Sequence, residues 1–140
     1  MKRIAFTFCG IAMAVFAIAQ QFAFNATAYN MLVVESASFT WNSTKHDFGK
    51  IPVNKPVSHE FTFVNTGNVP LLITSVKTPC GCTVTSYSHE AIQPGASGFV
   101  NATYNAARVG HFEKPITVNA NADEGVVTLT ITGEVTEVTQ

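Results

Sequence analysis

Val126-Val127-Thr128-Leu129-Thr130-Ile131-Thr132 is the stretch on which the fold turns. Val127, Leu129 and Ile131 fall on one side of an extended chain, and Val126, Thr128, Thr130 and Thr132 on the other, the period-two pattern of a strand with one buried face. Just upstream, Asp123-Glu124-Gly125 supplies a turn. Before it, Phe112, Ile116 and Val118 form one face of another run. Pro115 inside that run cannot donate to a ladder, so an edge or a bulge is expected there. Further upstream the pattern repeats: Val100, Ala102 and Tyr104 alternate with Phe99, Asn101 and Thr103 after the turn signal Gln93-Pro94-Gly95. Phe61 and Phe63 alternate with Glu60 and Thr62 until Asn65-Thr66-Gly67-Asn68 stops them. Pro70 to Lys77 is a run through Leu71, Leu72, Ile73 and Val76, ended by Thr78-Pro79.

With Phe39 to Asn42, His46 to Ile51 and Thr83 to Tyr87, roughly seven or eight strands fit into about 100 residues, the expectation for an all-β, immunoglobulin-like sandwich. Helical periodicity is absent from Phe39 onward. Trp41 precedes both cysteines of this region, so the inter-sheet Cys…Trp…Cys staple of antibody domains is missing. Burial of Phe48, Phe61, Phe63, Leu72, Ile73, Val100, Tyr104, Ile116, Val118, Leu129 and Ile131 is expected to hold the core, at roughly 1.5–3 kcal/mol per fully buried large side chain.

The chain has 140 residues, 46% hydrophobic and 12% charged, which suits one packed domain and excludes a disordered chain. Eight basic residues against nine acidic ones leave no excess to neutralise a phosphate backbone, so nucleic acid is not an expected partner. The amino terminus reads as a helical export leader. Met1-Lys2-Arg3 is cationic, Ile4 to Ala19 carries no charge, and both Ala17-Ile18-Ala19 and Ala26-Thr27-Ala28 have the small-x-small spacing of a cleavage site. A signal peptide over residues 1–28, cut after Ala19 or Ala28, is expected, then a lead-in over 29–37 and the immunoglobulin-like domain over 38–136. The competing reading is a retained anchor, since the apolar run is near the lower limit of roughly 17 residues for a bilayer span. After cleavage no membrane association is expected. Cys9 belongs to the leader, so two cysteines remain, Cys80 and Cys82.

His46-Asp47-Phe48-Gly49-Lys50-Ile51, Phe61-Thr62-Phe63-Val64-Asn65-Thr66-Gly67, Pro79-Cys80-Gly81-Cys82-Thr83, Ile92-Gln93-Pro94-Gly95 and Gly110-His111-Phe112-Glu113-Lys114 occur in this order. This series resembles the exported bacterial proteins grouped as domain of unknown function 1573, over about Ser38 to Val135. That family is similar in turn to the hydin-type immunoglobulin-like domains. The resemblance implies the fold and export to the periplasm, cell surface or exterior, and it implies no reaction. It marks Asp47, Phe48, Gly49, Asn65, Gly67, Gly81, Thr83, Pro94 and Gly95 as family motif positions.

Cys80-Gly81-Cys82 is the most informative cluster. In an extended segment residues i and i+2 share a side, and a positive φ at Gly81 would tighten the chain. The Cα separation can then fall within the roughly 4.4–6.8 Å that a disulfide needs. So small a ring adds little loop-closure stabilisation and is expected to be easily reduced. Three readings stand: a local structural pair, a redox-active dithiol, and a soft-metal site for Cu(I), which accepts two thiolates. His89 is a candidate third ligand if its loop folds back, against its reading as a polar loop residue. His59 shares a face with Phe61 and Phe63 and is expected at a strand end or partly buried, while His46 and His111 are expected in solvent. Asn119-Ala120-Asn121-Ala122-Asp123 has the spacing that begins a calcium loop. However, Glu124 stands where glycine is needed and Thr130 where a closing glutamate is needed, so a solvated hairpin is expected. No catalytic constellation emerges. The leading expectation is an exported, non-catalytic interaction module binding an envelope or extracellular protein or ligand through a sheet edge or end loops. A thiol redox or Cu(I)-handling protein is the alternative.

Overall fold

The computed structural model describes residues 33–137; the expected leader and its cleavage points lie outside them. Eight strands follow one another: β1 (Phe39–Trp41), β2 (Lys45–Pro52), β3 (Val57–Asn65), β4 (Ile73–Lys77), β5 (Thr83–Tyr87), β6 (Ser97–Tyr104), β7 (Gly110–Ala120) and β8 (Val126–Thr136). They form two four-stranded sheets, β1-β3-β6-β5 and β2-β8-β7-β4. All neighbours are antiparallel except β2 and β8, which run parallel. The domain is an immunoglobulin-like β-sandwich.

The alternation read from the sequence aims the right side chains inward. Phe61, Phe63, Val100, Ala102 and Tyr104 come from one sheet, and Ile116, Val118, Leu129, Ile131 and Val135 from the other; all are buried. The hairpin between β7 and β8 turns at Asp123-Glu124, where Gly125 takes φ +63° and its N–H donates to the Ala122 carbonyl (2.8 Å). Pro115 lies past the end of the β4 ladder, which stops where Lys77 meets Thr117, so this part of β7 has a strand on one side only.

Between Phe39 and Pro52 the chain crosses from one layer to the other. Phe39 to Trp41 pair with β3, the chain bends through Asn42-Ser43-Thr44, and β2 continues beside β8 in the other sheet. Ser43 fixes the bend: its hydroxyl donates to the Lys45 carbonyl (2.7 Å), and the Lys45 N–H returns to it (3.2 Å).

Two core assignments change. Leu72 is 41% exposed, whereas Leu71 is fully buried. Leu71 is clamped before β4 begins by reciprocal backbone bonds with Ile92 (2.9 and 2.8 Å), which puts Leu71 and Ile73 inward and Leu72 outward. The register of β4 then shifts between Ile73 and Ser75, a bulge that a strict two-residue period does not contain. Phe48 is half-buried at the margin of the core, because β2 is an edge strand with a bulge between Asp47 and Lys50.

Candidate functional site

Most of the motif residues have work to do in the fold. Gly49 takes φ +65° and donates its N–H to Asp47 Oδ1 (2.9 Å), which forms the β2 bulge. Asn65 is wholly buried. Its Nδ2 donates to the carbonyls of Val69 (2.8 Å) and Ile92 (2.9 Å), and its Oδ1 accepts from the N–H groups of Gly67 (3.0 Å) and Ser38 (3.5 Å). Three loop segments are thereby tied to one side chain. At Gly67 a Cβ would meet the backbone of Ser36 and Ala37. Gly95, at φ +79° after Pro94, donates to the Asn65 carbonyl (2.7 Å). Over the outer face of β2, β8 and β7 lies an open cleft of about 530 Å³ lined by Asp47, Lys50, His111, Glu113 and Glu134. Three carboxylates and one lysine line it, and His111, largely in solvent, sits 3.9 Å from Glu134.

The Cys-Gly-Cys segment has no such structural task. It lies in the crossover from β4 to β5, where the chain passes from one sheet to the other. Cys80 and Cys82 are joined by a disulfide with a Cα separation of 5.4 Å. The expected positive φ at Gly81 is not adopted; the turn closes with Gly81 exposed and open space where a Cβ would stand. Thr78 Oγ1 donates to the Cys80 carbonyl (3.1 Å). The Cys82 carbonyl accepts from the Asn105 N–H (3.1 Å), which brings the loop after β6 against the pair. Together they border a cleft of about 370 Å³ lined also by Tyr104, Ala107, Arg108 and Lys114. Next to the pair, Thr83 is buried and its hydroxyl has no hydrogen-bond partner among the described residues.

His89 does not join the sulfurs. β5 runs extended from Thr83 to Tyr87, carrying His89 about 15 Å along the strand at ~3.3 Å per residue, and its ring packs 4.3 Å from that of Tyr87. Among the described residues no group of three or more His, Cys, Asp or Glu side chains is placed to hold a metal ion. A Cu(I) ion would have the two sulfurs alone, in their reduced state.

A third feature joins residues that stand far apart in the chain. His46 of β2 and His59 of β3 stack face to face, ring centroids 3.6 Å apart and 6° from parallel, with Phe48 edge-on to His46 and Phe61 edge-on to His59. His46 is therefore half-buried rather than solvated. Burial lowers the His59 pKa from 6.5, the His46 charge adds to this, and Glu60 opposes it. The rings close the seam between the sheets beside a gap in strand pairing. Among the described residues β3 is paired on this side with β1 at Phe63 to Asn65, and the Asn42 N–H extends this to the Thr62 carbonyl (3.0 Å). The Thr66 N–H likewise donates to Ser38 (3.0 Å), so even-numbered residues direct their backbone groups toward β1. By the two-residue period Ser58 and Glu60 direct theirs the same way, past the end of β1.

The family model described as "Protein of unknown function (DUF1573)" matches residues 39–135, and the chain belongs to this family. No curated protein matches it. Among solved structures, it is similar to a protein of unknown function from Porphyromonas gingivalis W83 at 17% identity and TM-score 0.65, covering 76% of this chain and 50% of that one. The chain thus spans about half the length of that relative. It is also similar to the ASH/PapD-like domain 7 of human CEP192, at 8% identity and TM-score 0.63, covering 75% and 89%. The Vibrio cholerae VesB protease matches at 17% identity and TM-score 0.59, covering 71% of this chain and 32% of that one. At these identities the likeness is one of fold alone.

Proposed function

We propose that the protein is an exported, non-catalytic interaction module of the bacterial cell envelope that takes an extended segment of a partner protein onto the open edge of β3. One observation carries this reading: the N–H and C=O groups of Ser58 and Glu60 face outward where β1 has ended. Unpaired edges of this kind accept an added strand through main-chain hydrogen bonds. The other edges are poorer templates. β1 has three residues, and β4 and β5 have five each; β2 is bulged and carries Lys45 and Lys50. From Val57 to Asn65, β3 contains neither lysine nor proline, and its register with β6 is unbroken. Export is supported by the leader pattern at the amino terminus.

Glu60→Pro tests the reading. Proline removes a donor from the open edge and leaves the β6 ladder intact, because Glu60 directs its N–H away from β6. Capture from a native envelope extract by the purified chain should recover a specific partner, and Glu60→Pro should abolish that capture at unchanged melting temperature. Equal capture by the variant, or none by the wild type, would overturn the proposal.

A second reading, thiol redox or Cu(I) handling, is favoured by the disulfide at the mouth of a cleft that holds two cationic side chains. Anaerobic thiol titration with metal analysis tests it: a dithiol that forms and reopens the disulfide reversibly, or about one Cu(I) lost on Cys82→Ser, is expected, since two thiolates suffice for Cu(I). An unreactive pair that binds no copper would end it.

A further inference from the structure

We infer that Cys80–Cys82 is an exchangeable disulfide whose cleft selects small thiols that carry a carboxylate, with Arg108 and Lys114 as the selecting groups. This inference rests on the thiol reading of the pair and adds to it a substrate class.

A bond between residues two apart closes almost no loop, so little of the fold depends on it. Both cysteines are nevertheless partly accessible and border a cleft. Among the described residues, the charged groups lining that cleft are Arg108 and Lys114, with no carboxylate.

Lys114 stands at an unusual position. Along β7, Phe112, Ile116 and Val118 are buried on the inward side, and Lys114 occupies the same side between Phe112 and Ile116. A lysine there is partly desolvated without an ion-pair partner: the ion pair recorded among the described residues is His111–Glu134. Its ammonium lines the cleft beside the sulfurs and attracts an anion there. Arg108 is on the β6–β7 loop, which is firmly seated. Ala106 is buried, its carbonyl accepts from the Asn54 N–H (2.9 Å), and Asn105 Oδ1 accepts from the Ala107 N–H (3.2 Å). These bonds fix the loop that brings the exposed Arg108 to the rim of the cleft.

The chemistry follows from this placement. An incoming thiolate attacks one cysteine sulfur, a new S–S bond forms, and the Cys80–Cys82 bond breaks with its electron pair on the other sulfur. A second thiolate attacks the mixed disulfide at the sulfur of the first small thiol. The small thiols leave as their disulfide, two electrons stay on the protein, and the two thiol protons end on the cysteines. Cations beside the leaving sulfur stabilise its thiolate and hasten both steps. The same cations draw a carboxylate-bearing thiol into the cleft ahead of a neutral or cationic one.

The test uses the full chain as purified from the envelope fraction, reduced by 3-mercaptopropionate, 2-mercaptoethanol or cysteamine. Rates are read by acid quench, alkylation and mass spectrometry, and compared per thiolate present. The expected order is anionic, neutral, cationic, with about tenfold between the first and last at low ionic strength, shrinking with added salt. Arg108→Gln with Lys114→Gln should remove the order, and Cys82→Ser, offered the disulfide of 3-mercaptopropionate, should hold one half of it as a mixed disulfide at Cys80 while the other half leaves as the free thiol. Equal rates for the three thiols on the wild type would overturn the selectivity while leaving a redox pair. A disulfide that survives millimolar thiol unreduced would overturn both.

Discussion

Replacing Asn65 by leucine keeps the branched outline of the side chain, at a larger volume, and deletes its polar functions at a highly connected point of the fold. The losses can be counted. The Val69 carbonyl and the Gly67 N–H lose partners at 2.8 and 3.0 Å, and Ser38 loses a longer contact at 3.5 Å. The Ile92 carbonyl loses one bond at 2.9 Å but keeps the Leu71 N–H. At about 1 kcal/mol for each net bond, and up to about 3 for a buried group left unpaired, Asn65→Leu should cost about 3–5 kcal/mol. That is a large fraction of the roughly 5–15 kcal/mol that holds a domain together. Urea unfolding should show a lower midpoint at unchanged slope, with a melting temperature down by more than about 12 °C. Asn65→Asp sharpens the test. It retains the acceptor but turns a carboxylate toward the Val69 and Ile92 carbonyl oxygens, which raises the pKa of the introduced carboxyl above its unfolded value near 3.9. The deficit relative to wild type should therefore grow as pH rises through that raised pKa and shrink as pH falls, because the protonated form can donate once. A leucine variant within about 1 kcal/mol of wild type would refute the view that this motif residue is a structural tie.

Other outcomes are equally open to measurement. Gly67→Ala should destabilise by more than about 2 kcal/mol in the same assay, because its Cβ would stand 2.7 Å from Ala37 Cα with backbone on every near side. Thr83→Val should raise stability by about 1 kcal/mol, since it replaces a buried hydroxyl without a partner by a methyl group. Reducing Cys80–Cys82 should lower stability by about 1.5 kcal/mol or less, the loop-closure value for so short a ring; a larger loss by calorimetry would make the bond a staple. The lowered His59 pKa means the unfolded chain binds more protons there, so stability is full above about 6.5 and declines as pH falls below it. His59→Gln should flatten that part of the pH profile.

The period-two pattern carried the sandwich because the core strands are regular: Phe61 and Phe63, Val100 to Tyr104, and Leu129 and Ile131 keep one parity over their length. It misplaced Leu72 where a backbone clamp and a bulge reset the parity of β4. The Cys-Gly-Cys cluster was legible as chemistry because two thiols so close have few meanings. Its surroundings were not. Lys114 reads as a solvent residue by type, and only the pairing of β7 shows it inward. Arg108 shares the cleft with the pair because a backbone bond joins Asn105 to Cys82, twenty-three residues apart. The stacking of His46 on His59 and the open edge of β3 depend on which strand lies beside which. Local alternation holds no information about that.

The switch of the chain from β1 to β2 has a mechanical consequence. It makes the first long strand of the domain a parallel neighbour of the last, from Lys45 opposite Thr130 to Pro52 opposite Thr136. Tension between the two ends would slide these strands past each other lengthwise, loading every rung at once rather than peeling them apart in turn. For a module tethered at one end and gripped at the other, resistance to pulling is then set by how fast that zipper shears, a rate rather than an equilibrium.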